Sequence, residues 1–155
     1  MSTQMKIEET IPLIENKFLK PGFEYWFANH EHIRTPFPKE IVVQVKENTT
    51  MVFMEWVKGL KEAELNKMPD EEFAEMFETI LFNEAIKLVD NEDQRLTISY
   101  PFMPRLGDVV KHKEHGNGKI IERKELITKE NKKMMEITVS INETLEWKTQ
   151  FELSA

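Results

Sequence analysis

Apolar positions along this chain recur with two different periods. Before Pro101 the spacing is mainly helical, and after Gly107 it alternates residue by residue. Ile7, Ile11, Ile14 and Phe18 predict a helix over residues 5–20, with Glu8 and Glu9 in its early turns and Pro21-Gly22 as its stop. Pro12 lies within that pattern, so the helix starts or bends there. Phe23, Tyr25 and Phe27 alternate like a short strand, Thr35-Pro36-Phe37-Pro38 reads as a rigid loop, and Glu40 to Val45 returns to β-type residues.

Two helices are expected next. Val52, Phe53, Trp56, Val57 and Leu60 form the face of the first, with Thr49 or Thr50 placed to cap it. The second opens at Pro69-Asp70-Glu71-Glu72, where an early proline and acids suit the positive helix end. Phe73, Met76, Phe77, Ile80, Leu81 and Ile86 give it a broad apolar stripe, and Asp90-Asn91-Glu92-Asp93 ends it. The pair is expected to form an antiparallel hairpin packed on helix 5–20 and on one or two strands. Leu96 to Tyr100 reads as a strand, and Pro101-Phe102-Met103-Pro104 as a stiff connector that places a domain boundary near residue 104.

The remaining residues read as four short strands. Val109 to His112 is followed by Gly118 to Glu125, which extends towards Thr128. Lys129 to Lys133 forms a polar turn. Met135, Ile137, Val139 and Ile141 then alternate with Glu136, Thr138 and Ser140, the pattern of a half-buried strand. Asn142-Glu143 turns the chain into a fourth strand with Leu145, Trp147 and Thr149, and Phe151 and Leu153 plug one end. Short strands at this spacing predict a small antiparallel barrel that closes to hide its edges. The fold class expected is therefore α+β: an acidic, helix-rich part (1–104) followed by the barrel (105–155).

Charge sharpens that division. The net charge of −7 is uneven: residues 1–104 carry 11 Lys+Arg against 19 Asp+Glu, and residues 105–155 carry 10 against 9. The first part should repel a phosphate backbone, whereas nucleic-acid binders usually show a basic balance. No apolar run reaches the ~20 residues that cross a membrane, and the first residues lack an apolar signal core, so no membrane association and a cytoplasmic location are expected. The absence of cysteine excludes disulfides and thiolate chemistry.

Within the last third, Val110, His112, His115-Gly116-x-Gly118 and Ile120 form an opening motif, and Leu145-x-Trp147, Phe151 and Leu153 a closing one. Together they resemble the SH3/Tudor-like barrel of transcription-repair coupling factors and CarD-type regulators. A related pattern, with an aromatic residue at the second histidine, occurs in the C-terminal domain of UvrD/PcrA-type helicases. The resemblance covers residues 105–155. It implies attachment to RNA polymerase through an exposed barrel strand, by β-augmentation. No Gly-x-x-x-x-Gly-Lys-Ser/Thr loop accompanies it, so the motor activity of the helicases and coupling factors is not expected. On the residues alone, Gly116 and Gly118 suit positions of positive φ or close backbone approach, and His115 suits packing under the turn.

Catalytic chemistry finds little support. His30-x-His32 and His112-x-x-His115 lack a third ligand beyond ordinary acids, so no metal or other cofactor is expected. Glu71, Glu72, Glu75 and Glu78 lie mainly on the polar side of a helix, and no serine occupies a nucleophile elbow. The chain is expected not to be an enzyme. Lys111, Lys113, Lys119, Arg123 and Lys124 are the candidates for nucleic-acid contact, with Trp147 available for stacking. The aromatic-rich Phe23, Tyr25, Trp26, Phe27 and Phe37 are expected in the core.

The function expected is that of an intracellular, protein-binding adapter. Ile137, Val139, Ile141, Trp147 and Thr149 are the candidate contact residues along a barrel edge. Transcription or DNA-repair machinery, RNA polymerase included, is the partner class implied by the resemblance. Two alternatives stand beside it: a small acidic inhibitor or immunity-type protein masking a basic partner, and a nucleic-acid-binding module.

Overall fold

A computed structural model describes residues 7–29, 34–114 and 116–153. The chain divides into two compact units at Asp90/Asn91, upstream of the expected boundary near 104. The first unit carries 10 Lys+Arg against 17 Asp+Glu, the second 11 against 11. The architecture is α+β.

The first unit is helical: α1 (Ile7–Ile14), a π-helical turn (Glu15–Leu19), α2 (Lys20–Phe27), α3 (Val42–Gly59), α4 (Glu62–Lys67) and α5 (Asp70–Leu88). Pro21-Gly22 does not stop the first helix. The Lys20 N–H bonds the Glu15 carbonyl, a wider π-type step just before Pro21, which sits in the first turn of α2. A proline within a regular α-ladder meets the carbonyl four residues back, and the wider turn relieves that conflict. The expected strand at Phe23, Tyr25 and Phe27 is likewise helical. The buried positions are Leu19, Phe23 and Trp26, at helical spacing, while Tyr25 is exposed. Gly22 permits this packing, because a Cβ there would lie 2.4 Å from the Phe77 ring of α5.

The β-type run at Glu40–Val45 leads into α3 instead of a strand. Val45, Thr49, Phe53 and Val57 fall four residues apart and form one fully buried stripe, so tertiary burial overrides the β-preference of the valines. Thr49 is a core residue in mid-helix, not a cap. Phe53 and Phe23 both meet Phe77 edge-on, with centroids 6.0 and 5.2 Å away. Phe37 is buried against Trp26.

The second unit holds α6 (Glu92–Ser99) and four strands: β1 (Val109–His112), β2 (Gly116–Ile127), β3 (Lys133–Asn142) and β4 (Leu145–Glu152). The strand expected at Leu96–Tyr100 belongs to α6. The Asn91 side chain accepts the Gln94 N–H at 2.9 Å, and Glu92 and Asp93 occupy the first turn, so a full N-terminal signal lies just upstream. Leu96 joins Ile120, Met135, Ile137, Val139 and Leu153 in the core, with Tyr100 and Met103 packed against it.

The strands form an antiparallel sheet in the order β1-β2-β3-β4, with a bulge at Ile121. β1 and β4 are its edges, and among the described residues no strand pairs beyond either, so the hydrogen-bonded ladder is open. Asn131 (φ 66°) takes the tight turn between β2 and β3.

Candidate protein-docking edge

Side chains of β4 alternate between the two faces of the sheet. Trp147 and Phe151 pack on the core, and Glu146, Lys148, Gln150 and Glu152 are exposed on the other face. The backbone alternates as well. The Leu153 N–H bonds the Lys133 carbonyl at 2.9 Å, and register pairs Met135 with Phe151, Ile137 with Thr149 and Val139 with Trp147. In an antiparallel ladder the hydrogen-bonded pairs recur every second residue. Trp147, Thr149 and Phe151 therefore direct their amides towards β3, whereas Glu146, Lys148, Gln150 and Glu152 direct theirs away from the sheet.

The two edges approach at one end. His112 of β1 and Trp147 of β4 have ring centroids 4.9 Å apart, although their strands are not neighbours. Such a contact requires the sheet to curl. The His112 Nδ1 also accepts the Glu114 N–H at 3.1 Å. The two edges thus meet through side chains at the start of β4, and among the described residues Lys148 to Glu152, antiparallel to β1, follow that contact without forming a ladder with it.

The expected contact residues separate on this frame. Ile137 and Val139 are fully buried on β3, an interior strand paired on both sides, so they belong to the core and not to an edge. Ile141 is half-buried beside Val109, Lys119 and Ile121 in a depression of about 390 Å³. Trp147 and Thr149 do lie on the edge strand, both half-buried. The exposed Lys148 and Gln150 between and beside them escaped sequence reasoning. Alternation marks them as outward, but only the strand order shows that their strand is an edge.

Among the lysines proposed for nucleic-acid contact, Lys111, Lys113, Lys119 and Lys124 are exposed. Lys124 lies 3.5 Å from Glu136. Arg123 departs from the set, because its side chain is wholly buried. Its Nε donates to Asp93 Oδ1 at 2.6 Å, Nη1 to the Pro104 carbonyl at 2.9 Å and Nη2 to the Asp93 carbonyl at 2.8 Å, with Thr97 as a further partner. Register explains the burial: Arg123 lies opposite Ile137 and shares its core-facing side.

Gly116 has φ +83°, and Gly118 sits where a Cβ would lie 2.6 Å from Val139 Cγ1. His115, His30 and His32 lie outside the described residues. Among the described residues no group of three or more His, Asp or Glu is placed to hold a metal ion, and no helix is long and apolar enough to cross a membrane. On the exposed face, the Gln150 Nε2 donates to Glu136 at 3.1 Å. That bond, followed by the charges of Lys124 and Lys148, holds the Glu136 carboxyl below the usual range. On the core side, burial and then the hydrogen bond with Glu125 push the Tyr100 phenol up.

No protein-family model, no curated protein and no solved structure matches the chain.

Proposed function

We propose that the chain is a non-catalytic, cytoplasmic adapter that docks an extended segment of another protein along β4. The observation that carries this reading is an eight-residue edge strand whose outward amides belong to four exposed residues. An added strand would gain main-chain hydrogen bonds there, with Trp147 and Phe151 offering apolar contacts on one face. The SH3/Tudor-like reading of the second unit and a partner in transcription or DNA-repair machinery, RNA polymerase included, rest on the motif resemblance.

Peptides selected from a random library by the full chain test the docking. Their binding is expected to slow hydrogen exchange at the amides of Lys148, Gln150 and Glu152. Protection confined to residues outside β4 would refute it.

The charge distribution favours a second reading. The net negative charge resides in residues 1–90, which suits a surface that covers a basic partner. Glu62, Glu64, Asp70, Glu71 and Glu75 are all exposed, and reversing their charges is expected to slow association with such a partner. Nucleic-acid contact is the weakest reading, since Arg123 is buried and the exposed lysines alternate with Glu122 and Glu136.

A further inference from the structure

The open half of β4 is complementary to itself. Its outward residues run Glu146, Lys148, Gln150, Glu152. When two copies of an antiparallel edge meet, the residues with outward amides must lie opposite one another. That restricts the register to a few choices, and charge separates them. Centring the pair on Lys148 sets lysine against lysine, and centring it on Thr149 sets Glu146 against Glu152. Centring it on Gln150 sets Lys148 against Glu152 twice and Gln150 against its own copy.

Packing agrees with the last choice. On the core-facing side it sets Thr149 opposite Phe151 of the second copy, a small side chain against a large one. A register centred on Trp147 would also pair Glu146 with Lys148. It falls, however, where His112 of β1 already meets Trp147. The segment Lys148 to Glu152 follows that contact and forms no ladder with β1.

We infer that β4 pairs antiparallel with β4 of a second copy of this chain, in the register centred on Gln150. The inference rests on the reading of β4 as a docking edge and names a second copy as one occupant. Five residues on each side make a short ladder, so the dimer is weak and forms at high protein concentration. Lys148 is commonly the kind of residue that guards an edge against pairing. Here the guard is answered by Glu152.

Sedimentation equilibrium of the full chain, from micromolar to near-millimolar concentration, tests it. The wild type is expected to dimerise reversibly. Lys148→Glu and Glu152→Lys should each raise the dissociation constant on the order of tenfold, because two attractions become two repulsions. The double variant should restore it, and Glu146→Lys should leave it unchanged. A chain that stays monomeric, or dimers indifferent to both single changes, would overturn the inference. So would sensitivity to Glu146→Lys without sensitivity to Glu152→Lys. A monomer whose β4 still captures library peptides would remove the self-pairing alone, whereas a monomer that captures none would remove the docking edge as well.

Discussion

Arg123 and Asp93 stand thirty positions apart in sequence and 2.6 Å apart in space, as an ion pair that ties β2 to the first turn of α6. The arginine is wholly buried, and it is satisfied by two main-chain carbonyls besides the carboxylate. Arg123→Ala leaves the partly exposed Asp93 carboxylate to water, but it strands the carbonyl acceptors and empties a buried site. It is therefore expected to destabilise the second unit by about 3 kcal/mol, seen as a lower urea midpoint. Arg123→Lys should recover only part of that loss, because an ammonium cannot reproduce the planar fork. Asp93→Asn leaves the buried guanidinium without its counter-charge and should destabilise by a comparable amount, although the neutral acceptors remain.

Gly118 is a point of close packing in the sheet. A methyl group there would meet Val139 at 2.6 Å and the Ser140 carbonyl at 2.8 Å. Gly118→Ala is expected to lose about 1–3 kcal/mol through overpacking. Gly107 differs: nothing lies within 4 Å of its Cβ position, but its φ is +86°. Gly107→Ala should lose about 1–2 kcal/mol through backbone strain alone. Thermal melts of the two variants, with Gly107→Asn as a control that tolerates positive φ, separate the mechanisms.

Glu136 provides a test by titration. Its folded pKa lies below the ordinary carboxylate value, chiefly through the Gln150 hydrogen bond. A depressed carboxylate contributes stability above its unfolded pKa, and that contribution fades as pH falls through the folded value. Gln150→Leu should raise the Glu136 pKa and flatten this part of the acid dependence. Side-chain carboxyl shifts followed by NMR from pH 7 downward report it directly.

The sheet was more legible than the helices that accompany it. The alternation at Met135, Ile137, Val139 and Ile141 and the turn residues on either side located β3 closely, because period two survives wherever one face is buried. Helix and strand signals coincide in some short runs. Phe23, Tyr25 and Phe27 alternate, yet Leu19, Phe23 and Trp26 bury at helical spacing, and only packing against Phe77 chooses between them. Leu96 to Tyr100 looks β-like until Asn91 is recognised as the cap of α6. At the candidate edge, the apolar residues were visible and the edge was not. Pattern marks Ile137 and Thr149 alike as inward-facing, and only the order of strands places one in the interior and the other at the rim.

The docking of a strand on β4 is tested most directly by proline substitution along that strand. Lys148 and Gln150 direct their amides outward, so proline there spares the ladder to β3. Peptides selected by the wild type should lose binding to Lys148→Pro and to Gln150→Pro while both variants keep the far-ultraviolet spectrum and melting behaviour of the parent. Undiminished peptide binding by both folded variants would contradict the account.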